Sequence, residues 1–274
     1  MKADIVTIFP DFFRGPLDYG ITRRAQEMGL ARIQVHDVRN FTHDRHRTVD
    51  DRPFGGGEGM VLKPEPLFEC LESMGLASRE ERIAGTAKQS VVLLSAQGQK
   101  FNQKIASELA FLDRIVLLCG RYEGVDERVA DFLADRELSI GDYVLSGGEM
   151  GAAVIVEAVM RLLPGAVGNE ASTQQESFTV DTKAKIVGGA DSTCGSNGLL
   201  DYPHYTRPAE FRGFAVPEAL MSGNHEEIRR WRRQRALEKT FRNRPDLLEG
   251  AALSDQDKKF LGAIKRDGNS KKEV

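Results

Sequence analysis

The chain has 274 residues, of which 41% are hydrophobic and 29% are charged, and its formal net charge is −3. This composition is ordinary for a globular protein and provides enough apolar side chains for one large core or two smaller ones. No apolar run approaches the ~20 residues that a membrane-spanning helix needs, and the N-terminus shows no signal-peptide pattern, so we expect a cytoplasmic protein. The three cysteines form no CxxC pair, which gives no indication of zinc or of a disulfide framework.

In chain order, the first half of the sequence alternates strand-like and helix-like segments. Residues 5–9 and 33–35 are predicted strands, and residues 20–30 between them form a predicted helix. The short apolar runs at 91–94 and 115–118 are bounded by polar residues or glycine, which is typical of buried parallel strands.

The segment that joins these two apolar runs predicts a helix. Residues 103–112 place Ile105, Leu109 and Leu112 on one helical face. A strand–helix–strand unit of this kind predicts an α/β fold, with helices on the faces of a parallel sheet. The apolar stretch 154–163 predicts a further helix, which ends at a Pro-Gly pair.

The character of the sequence changes after residue 168. Residues 169–198 are polar and contain several glycines and many Ser and Thr, so they are predicted to form a flexible interdomain linker. Residues 199–274 are charged and helix-like, with prolines between the segments. We therefore predict an α/β domain at 1–168 and a small, mainly helical C-terminal domain at 199–274.

Three glycine-rich loops lie at 53–60, 119–126 and 140–149, and the last two adjoin a predicted strand end or helix start. Glycine lets backbone N–H and C=O groups approach a ligand closely, and open parallel sheets bind ligands at the carboxyl ends of their strands. The alternative is that these glycines only make turns. None of the loops has the spacing of a P-loop or of a dinucleotide-binding fingerprint, which disfavours both classes of protein.

A basic segment lies between Glu226 and Pro245, where eight cations stand against three carboxylates. Its cations are Arg229, Arg230, Arg232, Arg233, Arg235, Lys239, Arg242 and Arg244. Such a local excess is typical of a surface that binds a polyanion, and arginine suits bidentate phosphate contacts. The alternative is a solvated helix with internal Glu–Arg pairs. Trp231 is interpreted as an anchor of this helix, and the arginine-flanked pair His43 and His46 as basic surface rather than metal ligands.

Long motifs run along nearly the whole chain. They are RPFGGG (52–57), LCGRYEG (118–124), SIGDYVLSGGE (139–149) and PHYTRP (203–208). On these motifs the sequence resembles the bacterial tRNA (guanine-37-N1)-methyltransferases of the SPOUT superfamily. The resemblance implies a deep trefoil knot in the N-terminal domain and a homodimer whose active site is shared between two chains. It also implies S-adenosylmethionine as methyl donor, tRNA as substrate and a dependence on Mg²⁺, although the sequence shows no cation cage.

In this family the loops of the knot hold the cofactor in a bent shape. By resemblance, the cofactor-binding residues are Leu94, Ser95, Ala96, Gly120, Tyr122, Glu123, Gly124, Ile140, Gly141, Tyr143, Leu145, Gly147 and Gly148. Most of them fall in the glycine-rich loops, so the resemblance and the glycine pattern indicate the same ligand site.

Methylation at guanine N1 needs a base that removes the N1 proton and a cation that stabilises negative charge on O6. By resemblance, Glu176 is the base and Arg161 stabilises O6, while the structural alternative for Arg161 is a cation at a helix C-terminus. The resemblance and the basic segment together predict the substrate-binding residues Asp201, His204, Arg207, Arg229, Arg230, Arg232 and Arg233.

The sequence departs from the family pattern at four places. Ala96 and Gly151 stand where the family usually has proline, Glu176 stands where it has aspartate, and residues 179–197 form an insertion. The insertion is interpreted either as a lid over the bound substrate or as a passive loop. Two other functions stay open: a knotted methyltransferase that acts on a different nucleoside, and a non-catalytic RNA-binding homologue.

Overall fold

The computed structural model describes the following residues: 1–168, 176–179, 196 and 198–270. By its internal contacts the chain divides into two units, Met1–Gly168 and Asn169–Val274. Most of the predicted linker at 169–198, and with it most of the insertion at 179–197, lies outside the described residues, so the two interpretations of the insertion stay predictions.

The first unit is built on a parallel sheet. Its strands are β1 (Lys2–Thr7), β2 (Arg32–Asp37), β3 (Asp50–Asp51), β4 (Val61–Leu62), β5 (Gln89–Lys100), β6 (Arg114–Cys119) and β7 (Arg136–Ser139). Five of them form one sheet in the order β2-β1-β6-β5-β7, and every neighbouring pair in it is parallel. The strands β3 and β4 form a separate antiparallel pair. The predicted α/β class is therefore confirmed.

Helices cover both faces of this sheet. They are α1 (Gly20–Glu27), α2 (Pro64–Glu72), α3 (Arg79–Ile83), α4 (Gln103–Ala110), α5 (Glu127–Phe132) and α6 (Glu149–Met160). Because successive side chains of a strand point to opposite faces, β1 buries Ile5 in one core and Val6 in the other. The helices α1, α4 and α6 contribute to the core that contains Ile5, and α2 and α5 contribute to the core that contains Val6.

The predicted strand–helix–strand unit is confirmed in β5, α4 and β6, where Ile105 and Leu109 are buried on the helix. From β6 the chain passes through α5 to β7, which lies on the other side of β5. The connections that leave β5 and β6 therefore run in opposite directions along the sheet. In open α/β sheets, a crevice for ligands forms outside the carboxyl ends of the strands at such a reversal.

The predicted bounds of the first strand were wrong. The prediction was 5–9, whereas β1 spans Lys2–Thr7. Asp4 lies within the strand and is buried because His36 and Arg114 bind its carboxylate, so hydropathy does not reveal the start of the strand. A 3₁₀ turn begins at Pro10, where the fixed φ of proline suits the first helical position.

The predicted bounds of the apolar helix were also wrong, and one strand was missed. The prediction was 154–163, whereas α6 begins at Glu149, directly after Gly148, and ends at Met160. The helix ends early because Pro164 disfavours the helical conformation of the residue before it. Strand β7 was not predicted, since its four residues are too few to show a pattern.

The second unit is mainly helical. Its elements are β8 (Glu210–Phe211), β9 (Phe214–Ala215), α7 (Glu218–Met221), α8 (His225–Asn243) and α9 (Asp255–Ser270). Its small core contains Leu199, Leu237 and Leu261. The hairpin β8–β9 was not predicted; its turn residues Arg212 and Gly213 both have positive φ, as the favoured two-residue hairpin turn requires.

Candidate functional site

A cavity of about 300 Å³ lies at the carboxyl ends of β5, β6 and β7. Its walls are three loops: 95–98 within β5, 120–125 after β6, and 140–148, which leads from β7 into α6. Every residue that was predicted to bind the cofactor lines this cavity. The fold therefore brings these residues together, while their role in binding stays a prediction.

The first loop arises from a break in the pairing of β5 with β7. Leu94 and Gln99 both pair with Leu138, so the four residues between them bulge out of the pairing with β7. Within this loop the backbone of Gly98 runs so close to β7 that a Cβ atom would lie 2.5 Å from the nitrogen of Leu138. Glycine at this position is therefore required by the close approach of two backbone segments. Ala96, which departs from the family pattern, is exposed in the same loop.

The walls meet at Gly148, directly before α6. Its N–H donates a hydrogen bond of 2.9 Å to the carbonyl oxygen of Gly120. A Cβ atom on Gly148 would lie 2.8 Å from the Cα of Cys119 and 3.1 Å from the Cβ of Leu94. No side chain fits there without a backbone shift, whereas a Cβ atom on Gly151 would meet its nearest neighbour at an ordinary 3.6 Å.

Carboxylates outnumber cations along the cavity wall. Glu123, Glu127 and Glu137 line it, and Arg121 is the one cation among its described lining residues. Burial raises the pKa of Glu137 above its ordinary value, and the nearby carboxylates of Glu127 and Asp131 raise it further. This charge distribution favours a cationic ligand over an anionic one.

Sequence reasoning missed several residues of the cavity. Glu127, Ala130 and Glu137 line it but lie outside the loops that were predicted to hold the cofactor. Glu127 directly follows the glycine-rich loop at 119–126, so its position beside that loop was the signal that could have found it. Glu137 lies on the unpredicted strand β7, and no local pattern indicated it.

In the second unit, the segment that contains Glu176 lies against the segment that contains Asp201. The N–H of Phe178 donates to the carbonyl oxygen of Leu199 at 2.9 Å. The N–H of Asp201 donates to the Oγ of Ser177, also at 2.9 Å. The predicted base and the predicted second acid are thus brought into neighbouring segments of the same unit.

Further contacts join Asp201 to helix α8. Its Oδ2 lies 2.9 Å from the Nε2 of His204, and the ring of His204 lies 4.7 Å from the ring of Tyr202. The guanidinium of Arg232 lies 4.9 Å from the centre of the Tyr202 ring. Asp201, His204 and Arg232, all predicted to bind substrate, therefore belong to one connected surface. Arg207 is exposed in the segment that follows.

The arginines that were predicted to bind substrate on α8 fall into two groups. Arg229, Arg230 and Arg232 are exposed. Arg233 instead forms an ion pair with the buried carboxylate of Asp257, with an N–O distance of 2.9 Å. The first three are accessible to an external anion, whereas Arg233 is held within the unit, and its contact with substrate stays a prediction.

The alternative of internal pairing applies to other cations of α8. Arg235 and Arg242 both form ion pairs with Glu238. Trp231 is half-buried, and its ring lies 6.2 Å from that of Tyr205 in an edge-on arrangement. This packing agrees with its interpretation as an anchor of the helix.

Arg161 is the C-cap residue of α6. It stands twelve positions after Glu149, which corresponds to about 18 Å along the helix axis at 1.5 Å per residue. The cavity lies at the other end of this helix, where Gly148 and Gly151 line it. Within a single chain, the predicted catalytic arginine and the predicted cofactor loops therefore lie at opposite ends of α6.

The described part of the chain contains no cluster of metal-ligating side chains that would indicate where the implied Mg²⁺ binds. Within residues 1–168, 176–179, 196 and 198–270, no group of three or more His, Cys, Asp or Glu side chains is arranged to hold a metal ion. Of the two histidines interpreted as basic surface, His43 places its Nε2 2.8 Å from a carboxylate oxygen of Glu69. The same residues also contain no helix with the length and hydropathy needed to cross a membrane.

The parallel sheet and the glycine-lined cavity at its carboxyl edge define an α/β protein with a candidate small-molecule site of the open-sheet type. The model of the family described as tRNA (Guanine-1)-methyltransferase TrmD matches residues 1–250. The chain belongs to this family, which confirms the resemblance found in its motifs.

Three relatives share the name tRNA (guanine-N(1)-)-methyltransferase. The protein from Koribacter versatilis is 65% identical over 265 residues, which cover 97% of this chain and 98% of the relative. The protein from Dictyoglomus turgidum is 50% identical over 267 residues, with 97% and 98% covered. The protein from Moorella thermoacetica is 49% identical over 266 residues, with 97% of each chain covered.

Proposed function

We propose that this protein is an enzyme that methylates N1 of guanosine 37 in tRNA, with S-adenosylmethionine as the methyl donor. The observation that carries this proposal is the cavity at the carboxyl edge of the sheet, because its walls are formed by the family motifs at 118–124 and 139–149. The chain belongs to a family whose members are named for methylation of guanine N1 in tRNA, which supports this proposal.

The residues of the cavity fit S-adenosylmethionine. Its volume of about 300 Å³ is at the lower end of the range of small-molecule sites. Glycine backbone forms much of the wall, and the carboxylates of Glu123, Glu127 and Glu137 complement the positive sulfonium and ammonium groups. When bound, S-adenosylmethionine supplies a methyl group on a positively charged sulfur. The protein contributes a wall that holds the cofactor in one orientation and places that methyl group toward the substrate.

The chemistry also needs a proton acceptor and a cation beside the guanine. Neutral guanine carries a proton on N1, so the nitrogen becomes a nucleophile only when that proton is removed. We assign the proton to the carboxylate of Glu176 and the stabilisation of O6 to the guanidinium of Arg161. Glutamate carries the same carboxylate as the family's aspartate, on a side chain that is one methylene longer. No step is assigned to Mg²⁺.

A two-fold homodimer is part of the proposal. The position of Arg161, about 18 Å along α6 from Glu149, supports an active site that takes groups from two chains. The apolar side chains of Val144, which lines the cavity, and of Met150 and Val154 on α6 are 88%, 57% and 47% exposed. Exposed apolar side chains of this size are typical of a surface that another chain covers. We further propose that the loops around the cavity form the trefoil knot of the SPOUT superfamily.

The second unit is proposed to bind tRNA. The exposed Arg229, Arg230 and Arg232 offer contacts to the phosphate backbone, while Asp201 and His204 lie beside the segment of Glu176. Position 37 lies in the anticodon loop, so its base can leave the stack at a modest cost in free energy. The first unit would then hold the methyl donor and the second the nucleic acid.

The test is to map the methylated nucleoside on tRNA incubated with the enzyme and labelled S-adenosylmethionine. We expect one methyl group per tRNA, as 1-methylguanosine at position 37. Methylation at another nucleoside would instead support a knotted methyltransferase with a different target. Absence of both methylation and calorimetric binding of S-adenosylhomocysteine would support the non-catalytic homologue.

A further inference from the structure

The carboxylate of Glu149 is buried beside the cavity, and the proposed reaction does not use it. Glu149 is the first residue of α6 and only 4% exposed. Its Oε1 accepts a hydrogen bond of 2.8 Å from the hydroxyl of Thr7, the fully buried last residue of β1. The Oγ1 of Thr7 in turn accepts a hydrogen bond from the N–H of Phe9 at 2.9 Å. Glu149 thereby joins the start of α6 to the end of a central strand.

The other carboxylate oxygen of Glu149 faces Arg121, with a distance of 3.8 Å between Oε2 and Nη1. Arg121 belongs to the loop after β6, and its Nη1 donates a hydrogen bond of 3.0 Å to the Oγ of Ser146 in the loop after β7. Its guanidinium also lies 4.5 Å from the centre of the Phe9 ring. Arg121 is therefore a direct link between two walls of the cavity, and Glu149 and Phe9 hold it in place.

Gly147 shows how tightly this link is packed. The residue forms an antiparallel bridge with Arg121. A Cβ atom on Gly147 would lie 2.5 Å from the Cδ of Arg121 and 2.5 Å from the Oε2 of Glu149. The space that a side chain would need is thus occupied by the two charged residues, and the loop backbone rests directly on them.

We propose that Glu149 is a positioning residue, which acts through Thr7 and Arg121 to fix the loops 120–125 and 140–148 relative to each other. It would thereby raise the affinity for S-adenosylmethionine without touching it, and this role rests on the proposed cofactor site. A buried carboxylate is costly unless it is paired. Here the Thr7 hydroxyl, the guanidinium and the N-terminus of α6 compensate the charge.

The experiment compares two threonine–glutamate hydrogen bonds onto the same helix. Thr7→Val removes the hydroxyl bound to Glu149 at nearly unchanged volume, and Thr7→Ser retains it. The matched control is Thr22→Val, because the hydroxyl of Thr22, which is 1% exposed, donates at 2.6 Å to Glu157, two turns further along α6. Glu149→Gln removes the charge that faces Arg121. Each variant is measured by calorimetric titration with S-adenosylhomocysteine, by hydrogen exchange of the ligand-free loops and by urea unfolding.

Thr7→Val should raise the Kd about tenfold, the range expected for a lost hydrogen bond to a charged group. Glu149→Gln, which removes the charge that faces Arg121, should raise the Kd by a similar factor. Both should speed hydrogen exchange in the two loops, including the N–H of Gly148. Thr7→Ser should bind almost as tightly as the wild type, and Thr22→Val should lower stability without changing the Kd. If Thr22→Val raised the Kd as much as Thr7→Val, the effect would come from the general stability of α6, and the proposal would be overturned.

The failure of the proposed function is distinguishable from the failure of this inference. If wild-type protein does not bind S-adenosylhomocysteine, the cofactor site is wrong, while hydrogen exchange of the ligand-free loops still measures the link. If the wild type binds and the loops of Thr7→Val and Glu149→Gln exchange at wild-type rates, Glu149 does not position them. If Thr7→Val or Glu149→Gln does not fold, the one that folds is compared with Thr7→Ser. Equal Kd values and equal exchange rates in that pair would overturn the proposal.

Discussion

The two units of this protein form their proposed binding sites by different physical means. In the first unit, backbone makes the cavity: strand order brings three loops together, and glycines such as Gly98 and Gly148 allow approaches that no side chain permits. In the second unit, side chains make the surface, with exposed cations such as Arg229 and Arg230 on α8. A site built from backbone should fail when a small group is added, whereas a charged surface should fail when a charge is removed. Substitutions should therefore separate cofactor binding from tRNA binding.

The largest expected effect is on the chemical step of methyl transfer. Glu176→Gln keeps the shape of the side chain but cannot accept the N1 proton. It should lower the single-turnover rate of methyl transfer by about 10²–10⁴-fold, the usual contribution of a positioned base. The affinities for S-adenosylhomocysteine and tRNA should stay near those of the wild type. Glu176→Asp restores the family's residue and should retain more activity than Glu176→Gln; wild-type single-turnover rates in Glu176→Gln would remove Glu176 from the mechanism.

The second expected effect is on the free energy of unfolding and concerns the buried carboxylate of Asp4 in the first unit. Burial disfavours the charged form of Asp4, but hydrogen bonds from His36 and Arg114, together with the charges of Arg114 and Lys2, lower its pKa below the ordinary value. Asp4→Asn should lower the free energy of unfolding by roughly 3–5 kcal/mol, the cost of breaking a buried ion pair. Urea unfolding at neutral pH measures this change.

The pH dependence of stability follows from the sign of that shift. A carboxylate with a lowered native pKa adds stability above its unfolded pKa, and this stability is lost as the pH falls through the native pKa. Wild-type protein should therefore lose stability below the ordinary aspartate range, and Asp4→Asn should lack that part of the loss. Parallel pH curves for the two proteins would contradict the assignment.

The third expected effect tests the backbone-built site. Gly148→Ala places a Cβ atom 2.8 Å from the Cα of Cys119, so the walls of the cavity must move apart. Overpacking of this kind costs about 1–3 kcal/mol, and the affinity for S-adenosylhomocysteine should fall roughly 10- to 100-fold. Gly151→Ala is the matched control, since its Cβ atom meets Leu94 at an ordinary 3.6 Å. If calorimetry shows the same affinity for both variants, close backbone approach does not build the site.

The smallest expected effects test the charged surface. Substitution of Arg229, Arg230 or Arg232 by Gln should weaken tRNA binding roughly threefold to tenfold each. It should also reduce the slope of log affinity against log salt by about 0.7–0.9 for each lost phosphate contact. Cofactor affinity should not change. The control is Lys259→Gln on α9, because Lys259 is an exposed cation outside the basic segment. If the α8 variants had the same salt dependence of tRNA affinity as Lys259→Gln, α8 would be a solvated helix that does not contact tRNA.

The sequence predicted features whose physical signal is local. The apolar runs at 91–94 and 115–118 predicted buried parallel strands because a strand covered on both faces has few polar positions. The charge of α8 was visible because eight cations fall within one short segment. Its division into exposed and paired arginines was not visible, since the partner of Arg233 is Asp257 on another helix.

Local patterns also failed where polarity or shortness conceals a strand. The charged Asp4 interrupts the apolar pattern of β1. Its burial depends on Arg114, which is 110 positions away, so no local pattern shows that Asp4 lies within a strand. Strand β7 is four residues long, and it became a strand only by pairing with β5 across the break that forms the first loop.

By itself, the sequence determined the family, the α/β class and the loops that were predicted to bind the cofactor, since motifs and hydrophobic periodicity are properties of neighbouring residues. Only the tertiary structure decided that these loops share one cavity and that Glu149 and Thr7 lie beside it. The two residues are 142 positions apart along the chain, and their side chains are 2.8 Å apart in space. No local pattern encodes such a pair, because the order of the strands in the sheet brings the end of β1 and the start of α6 together.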